Sequence, residues 1–68
     1  MRKIISIDGM HCEHCSAAVA EALQALPGVQ NVQVSLPDKQ AVLEAGSNSD
    51  ESLRNAIEDI GFDVISIS

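Results

Sequence analysis

Two cysteines two residues apart, Cys12 and Cys15, lie in the run Gly9-Met10-His11-Cys12-Glu13-His14-Cys15. Thiols at this spacing can point their sulfurs at one place. They can then hold a soft metal ion or cycle between dithiol and disulfide. The surroundings select between these. The pair sits where a strand gives way to a helix, which puts Cys15 at or within the first helical turn. Free backbone N–H groups and the helix dipole favour a thiolate there. No second Cys or His pair stands at the spacing that would complete a closed tetrahedral zinc site. Two thiolates do suit Cu(I), a soft ion that accepts two-coordinate, near-linear binding. A site left open in this way can accept a thiolate from a partner, so metal can leave by ligand exchange.

The neighbours have two readings each. Met10 is expected to plug the space under the loop, as methionine does in irregular gaps, with thioether ligation the lesser alternative. His11 and His14 are either solvated loop residues or accessory ligands, the latter in a dimer or with zinc. His14, between the cysteines, is also placed to tune thiol acidity. Glu13 reads as a solvated charge. Phe62, in Ile60-Gly61-Phe62-Asp63, is expected near the cysteine loop. There it supports the loop, shields the metal from water, or simply packs at the core edge. A core or disulfide pair in an inert domain fits poorly with thiols set beside Glu13 and two histidines.

The elements that must position these residues follow from hydrophobic spacing. Residues 3–7 alternate as a strand, with Ile5 and Ile7 on one face, and Asp8-Gly9 breaks it. Residues 15–26 repeat apolar groups at helical spacing, with Val19, Ala22, Leu23 and Leu26 on one side. Pro27-Gly28 ends that helix. Residues 29–36 and 40–45 read as a hairpin about Pro37-Asp38-Lys39. Ser47-Asn48-Ser49-Asp50 is a polar link in which Ser49 or Asp50 caps a second helix. That helix runs to about Ile60 and is expected to bury Leu53, Ala56, Ile57 and Ile60. Gly61 is its natural stop, and residues 62–67 form a last strand. The order β-α-β-β-α-β predicts an α+β, ferredoxin-like fold: a four-stranded antiparallel sheet with two helices on one face.

Sixty-eight residues allow one small domain, spanning 1–68, with a core of Ile, Val, Leu and Ala, because Phe62 is the lone aromatic residue. Only Arg2, Lys3, Lys39 and Arg54 are cationic and the formal charge is −6, which argues against a nucleic-acid partner. The acidity suits solubility or a basic partner. No stretch is long enough to span a membrane and no secretory signal is visible, so the expected location is the cytoplasm, where thiols stay reduced.

Gly9-Met10-x-Cys12-x-x-Cys15 on this element order resembles the heavy-metal-associated domain family. The likeness extends to Leu26-Pro27-Gly28-Val29 at the first helix end and to Ala56-Ile57-Glu58-Asp59-Ile60-Gly61-Phe62 across the second. It implies Cu(I) ligation by Cys12 and Cys15, with Met10 as the buried loop anchor. It also implies a non-enzymatic carrier role: a cytosolic copper chaperone that passes Cu(I) to a copper-exporting P-type ATPase or a copper-responsive regulator. The alternatives are an N-terminal domain of such an ATPase and a carrier of Zn, Cd or Hg. A chain that begins at Met1 and ends one strand after the second helix favours the free-standing chaperone. Cys12-Glu13-His14-Cys15 is similar to the loop of bacterial copper chaperones. His11 replaces the usual Thr or Ser, and Phe62 stands where many chaperones have Tyr. Thiol–disulfide catalysis is disfavoured, since the Trp and Pro that flank the cysteines of those enzymes are missing. The expected metal-free state is a monomer, with copper able to bridge two chains.

Overall fold

The computed structural model describes residues 2–46 and 49–68. Strand β1 (Arg2–Asp8) is followed by α1 (Glu13–Gln24), β2 (Gln30–Ser35), β3 (Gln40–Glu44), α2 (Asp50–Glu58) and β4 (Asp63–Ile67). The four strands form one antiparallel sheet in the order β2-β3-β1-β4, so the predicted ferredoxin-like arrangement is present. Elements begin and end within one or two residues of the expected bounds. Of the expected polar link, Ser47 and Asn48 lie outside the described residues. Ser49 caps α2 as anticipated, its Oγ accepting from the Ser52 N–H at 3.2 Å.

Period-two alternation decides which face of the sheet is dry. Ile5 and Ile7 of β1 share that face with Ala41 and Leu43 of β3, with Ile5 directly opposite Ala41. Val19 and Leu23 from α1, Leu53 and Ile57 from α2, and Met10 from the loop complete the core. Leu26 and Val29 pack at its edge. The Lys3 ammonium reaches the Asp50 carboxylate at 3.0 Å and ties the start of α2 to β1. Lys3 is half-buried and Asp50 exposed, so the pair contributes at most about 1 kcal/mol.

Two expected core positions differ. Ala56 is half-buried, and Ile60 is exposed, with 40% of its surface accessible. For Ile60 the reason is the way α2 stops. Gly61 takes φ +98°, the Gly61 N–H donates to the Glu58 carbonyl at 3.0 Å and the Phe62 N–H to the Ile57 carbonyl at 3.4 Å. This is the Schellman pattern, and it requires a residue that tolerates a left-handed backbone. The chain leaves the helical phase before Ile60 can face the sheet. Phe62 takes its place against the core.

The topology gathers three connections at one end of the molecule. These are the β1–α1 loop with the cysteines, the β2–β3 turn (the Ile7 N–H donates to the Lys39 carbonyl at 2.9 Å) and the α2–β4 turn. Asp8 stands opposite Asp63 across β1 and β4, which fixes the last of these beside the first.

Candidate metal centre

The cysteine loop starts at Gly9, whose φ of +101° lets the chain turn sharply out of β1. Met10 then points inward and is 2% exposed, the plug expected from its position. Cys12 has extended backbone, φ −153° and ψ 170°, and occupies the N-cap of α1. Its carbonyl accepts from the Cys15 N–H at 3.1 Å and the Ser16 N–H at 3.2 Å, so the first turn closes on it. Its side chain makes no capping hydrogen bond, in contrast to the Ser, Thr, Asp or Asn that usually fills this position.

Cys12 Sγ and Cys15 Sγ lie 3.4 Å apart and are free thiols, Cys12 exposed and Cys15 half-buried against the core. The Cys15 thiol is held below the usual thiol range. The main cause is hydrogen bonding from the His11 backbone, helped by the Cys12 side chain and backbone and opposed by desolvation. One sulfur is thus anchored and acidified on the helix while the other stands at the surface. A single ion can bridge them.

His11 and His14 are both exposed. Among the described residues, no group of three or more His, Cys, Asp or Glu side chains comes together to hold a metal ion. Phe62 is brought to the loop from the α2–β4 turn. Its Cδ1 lies 3.2 Å from where a Cβ on Gly9 would stand. Gly9 read in the sequence as a strand breaker and as the first residue of the cysteine motif, and its service as a seat for the Phe62 ring had no local signal. A cavity of about 440 Å³, lined by Asp50, Glu51, Arg54, Asn55 and Ile67, lies at the opposite end and shares no residue with the loop. No helix among the described residues is long and apolar enough to cross a membrane.

A βαββαβ sheet with a Gly-Met-x-Cys-x-x-Cys loop at the mouth of its first helix defines a class, and residues 4–63 match it: the chain belongs to the heavy-metal-associated domain family. Among its relatives is the copper chaperone CopZ of Staphylococcus haemolyticus, 41% identical over 66 residues that cover 94% of this chain and 97% of that one. A solved CopZ metallochaperone superposes with a TM-score of 0.91 at 33% identity, covering 96% of this chain and 100% of its own. Copper-transporting ATPase 1 of Rattus norvegicus is 38% identical over 64 residues, 91% of this chain but 4% of that much longer protein.

Proposed function

We propose that this chain is a copper chaperone that holds Cu(I) between the Cys12 and Cys15 thiolates and delivers it, in the cytoplasm, to a copper-exporting P-type ATPase. The observation that carries this reading is a pair of free thiols 3.4 Å apart at the start of a helix, with no third ligand gathered beside them among the described residues. Such a donor set suits a soft ion of low coordination number better than zinc, which asks for four ligands. The near full-length likeness to copper chaperones supports the same cargo.

The chemistry follows from the two different cysteines. Exposed Cys12 is the sulfur an incoming thiolate can replace first, while Cys15, on the helix, keeps the ion in place. Ion transfer then proceeds through a shared, three-thiolate arrangement without free copper being released. The chain itself carries out no chemical conversion. Its residues bind, orient and shield.

Anaerobic Cu(I) titration against a competing chelator tests this. One ion per monomer is expected. Cys12→Ser and Cys15→Ser should each weaken binding by more than the roughly 10–100-fold that follows loss of an outer-shell partner. Full affinity in both variants would overturn the assignment.

A further inference from the structure

The strand order puts β4 at one edge of the sheet, and among the described residues no strand pairs with its outer side. The ladder fixes which backbone groups are left open there. Ser68 and Ile4 exchange both hydrogen bonds: the Ile4 N–H donates to the Ser68 carbonyl at 3.1 Å and the Ser68 N–H to the Ile4 carbonyl at 2.8 Å. Bonded and non-bonded pairs alternate in an antiparallel ladder, so the next pair, Ile5 with Ile67, is of the non-bonded kind. The N–H and C=O of Ile67 therefore point away from β1, off the edge of the sheet.

Ile67 is also the one strand residue that lines the cavity of about 440 Å³, whose other walls, Asp50, Glu51, Arg54 and Asn55, come from α2. An open strand edge and a hollow beside a flanking helix thus meet at a single residue. Two positions earlier, Ile65 is the extra residue of a bulge opposite Ser6 and Ile7 and keeps 65% of its surface in water. Val64, Ile65, Ser66 and Ile67 include no charged side chain and no proline, the residues that commonly guard a sheet edge. A strand edge beside a helix is the kind of groove in which an extended peptide adds as a new strand.

We propose that β4 and α2 receive an extended segment of another protein as a fifth strand, its backbone paired with Ile67, and that this segment alternates β-branched with basic residues. The alternation follows from the pleat, which sends successive side chains to opposite faces. Those on one face meet exposed Ile65, an apolar neighbour. Those on the other reach the hollow, where the carboxylates of Asp50 and Glu51 outnumber the Arg54 guanidinium. Lys3 already holds Asp50 at 3.0 Å, which leaves Glu51 for an incoming cation. A second copy of this chain is a poor occupant, since it carries a charge of −6 and its own β4 has no basic residue. A partner bound here leaves Cys12 and Cys15 uncovered, so it can hold the carrier without closing the metal loop.

The test uses the heptapeptide acetyl-TKVKVKT-amide, titrated to about 1 mM against nitrogen-labelled chain and followed by NMR. Amide shifts should gather at Ile65, Ile67 and Ser68 and along Glu51 to Asn55, and hydrogen exchange at the Ile67 N–H should slow about tenfold or more. The same peptide with its central amides N-methylated keeps its charge, cannot pair as a strand and should not bind. Ile65→Lys sets a like charge against the peptide and should abolish binding. Glu51→Gln should weaken it about two- to fivefold, the worth of an exposed ion pair. Both positions are exposed, so each variant should melt and take up Cu(I) as the wild type does. No binding at the highest concentration, an Ile67 amide left unprotected, equal binding of the N-methylated peptide or full affinity in Ile65→Lys would each overturn the proposal. So would sedimentation of the free chain as a dimer that Ile65→Lys disperses, because the occupant would then be a second copy. Failure of the wild type to load Cu(I) would refute the carrier reading and leave this groove standing.

Discussion

The Phe62 ring rests on Gly9. Its Cδ1 comes within 3.2 Å of the position a Cβ at residue 9 would occupy, so the turn after α2 leans on the root of the cysteine loop. Gly9 also holds φ +101°, a conformation that L side chains rarely adopt. Gly9→Ala should therefore destabilise the fold by about 1–3 kcal/mol through backbone strain, with displacement of Phe62 in addition. Urea denaturation gives the number. A loss below about 0.5 kcal/mol would mean that the loop root does not need this glycine.

Met10 lies in the core, and its substitution separates packing from ligation. Met10→Ala should cost about 2–5 kcal/mol, as for other buried large-to-small changes. Met10→Leu keeps the volume and should cost less than about 1.5 kcal/mol. If the thioether only packs, Met10→Leu binds Cu(I) as the wild type does, with the same sulfur count by X-ray absorption. A lost sulfur neighbour in that variant would make Met10 a ligand.

Much of this arrangement could be read in the chain because local signals agreed. Alternation at Ile5 and Ile7, helical spacing at Val19 and Leu23, and punctuation at Pro27-Gly28 and Gly61 each point to the same fold. The approach of the two sulfurs was legible from the cysteine spacing, and the burial of Met10 from its place before the loop. What escaped was set by tertiary geometry. Ile60 continues the apolar stripe of α2 in sequence, yet the Schellman turn at Gly61 takes it out of phase with Leu53 and Ile57. The Phe62–Gly9 contact and the Asp8–Asp63 pair join residues more than fifty positions apart, and no local pattern encodes such a register.

The contrast between Ile57 and Ile60 is measurable. Ile57 is fully buried, and Ile57→Ala should cost about 2–5 kcal/mol, enough to threaten a domain of this size. Ile60→Ser removes a solvent-facing side chain and should stay within about 0.5 kcal/mol. Thermal or urea melts of both variants decide the matter. A large loss at Ile60 would restore it to the core. The same variant can be assayed for copper transfer, where a slower rate without lost stability would mark Ile60 as a docking contact.

Cys15 should ionise more readily than an ordinary thiol, because the His11 backbone, the Cys12 sulfur and the Cys12 backbone all favour its thiolate. In metal-free protein, its iodoacetamide labelling should have a pH midpoint below the ordinary value of 9.0, and unfolding in urea should return the midpoint to about 9.0. The stability linkage has a definite sign. Between the folded and unfolded pKa the unfolded chain binds more protons, so stability rises with pH through that window. The contribution is fully present above the unfolded pKa and is lost as pH falls through the folded one. Cys12→Ala removes the hydrogen bond from the neighbouring thiol and leaves that from the His11 backbone. The Cys15 midpoint should then move upward and still stay below 9.0. Peptide mass spectrometry, reading Cys15 labelling alone, follows the shift. A folded midpoint at or above 9.0 would show that the helix start does not activate this thiol. Because a thiol must lose its proton to bind metal, a low midpoint also predicts that Cu(I) affinity falls less steeply on acidification than it would for two ordinary thiols.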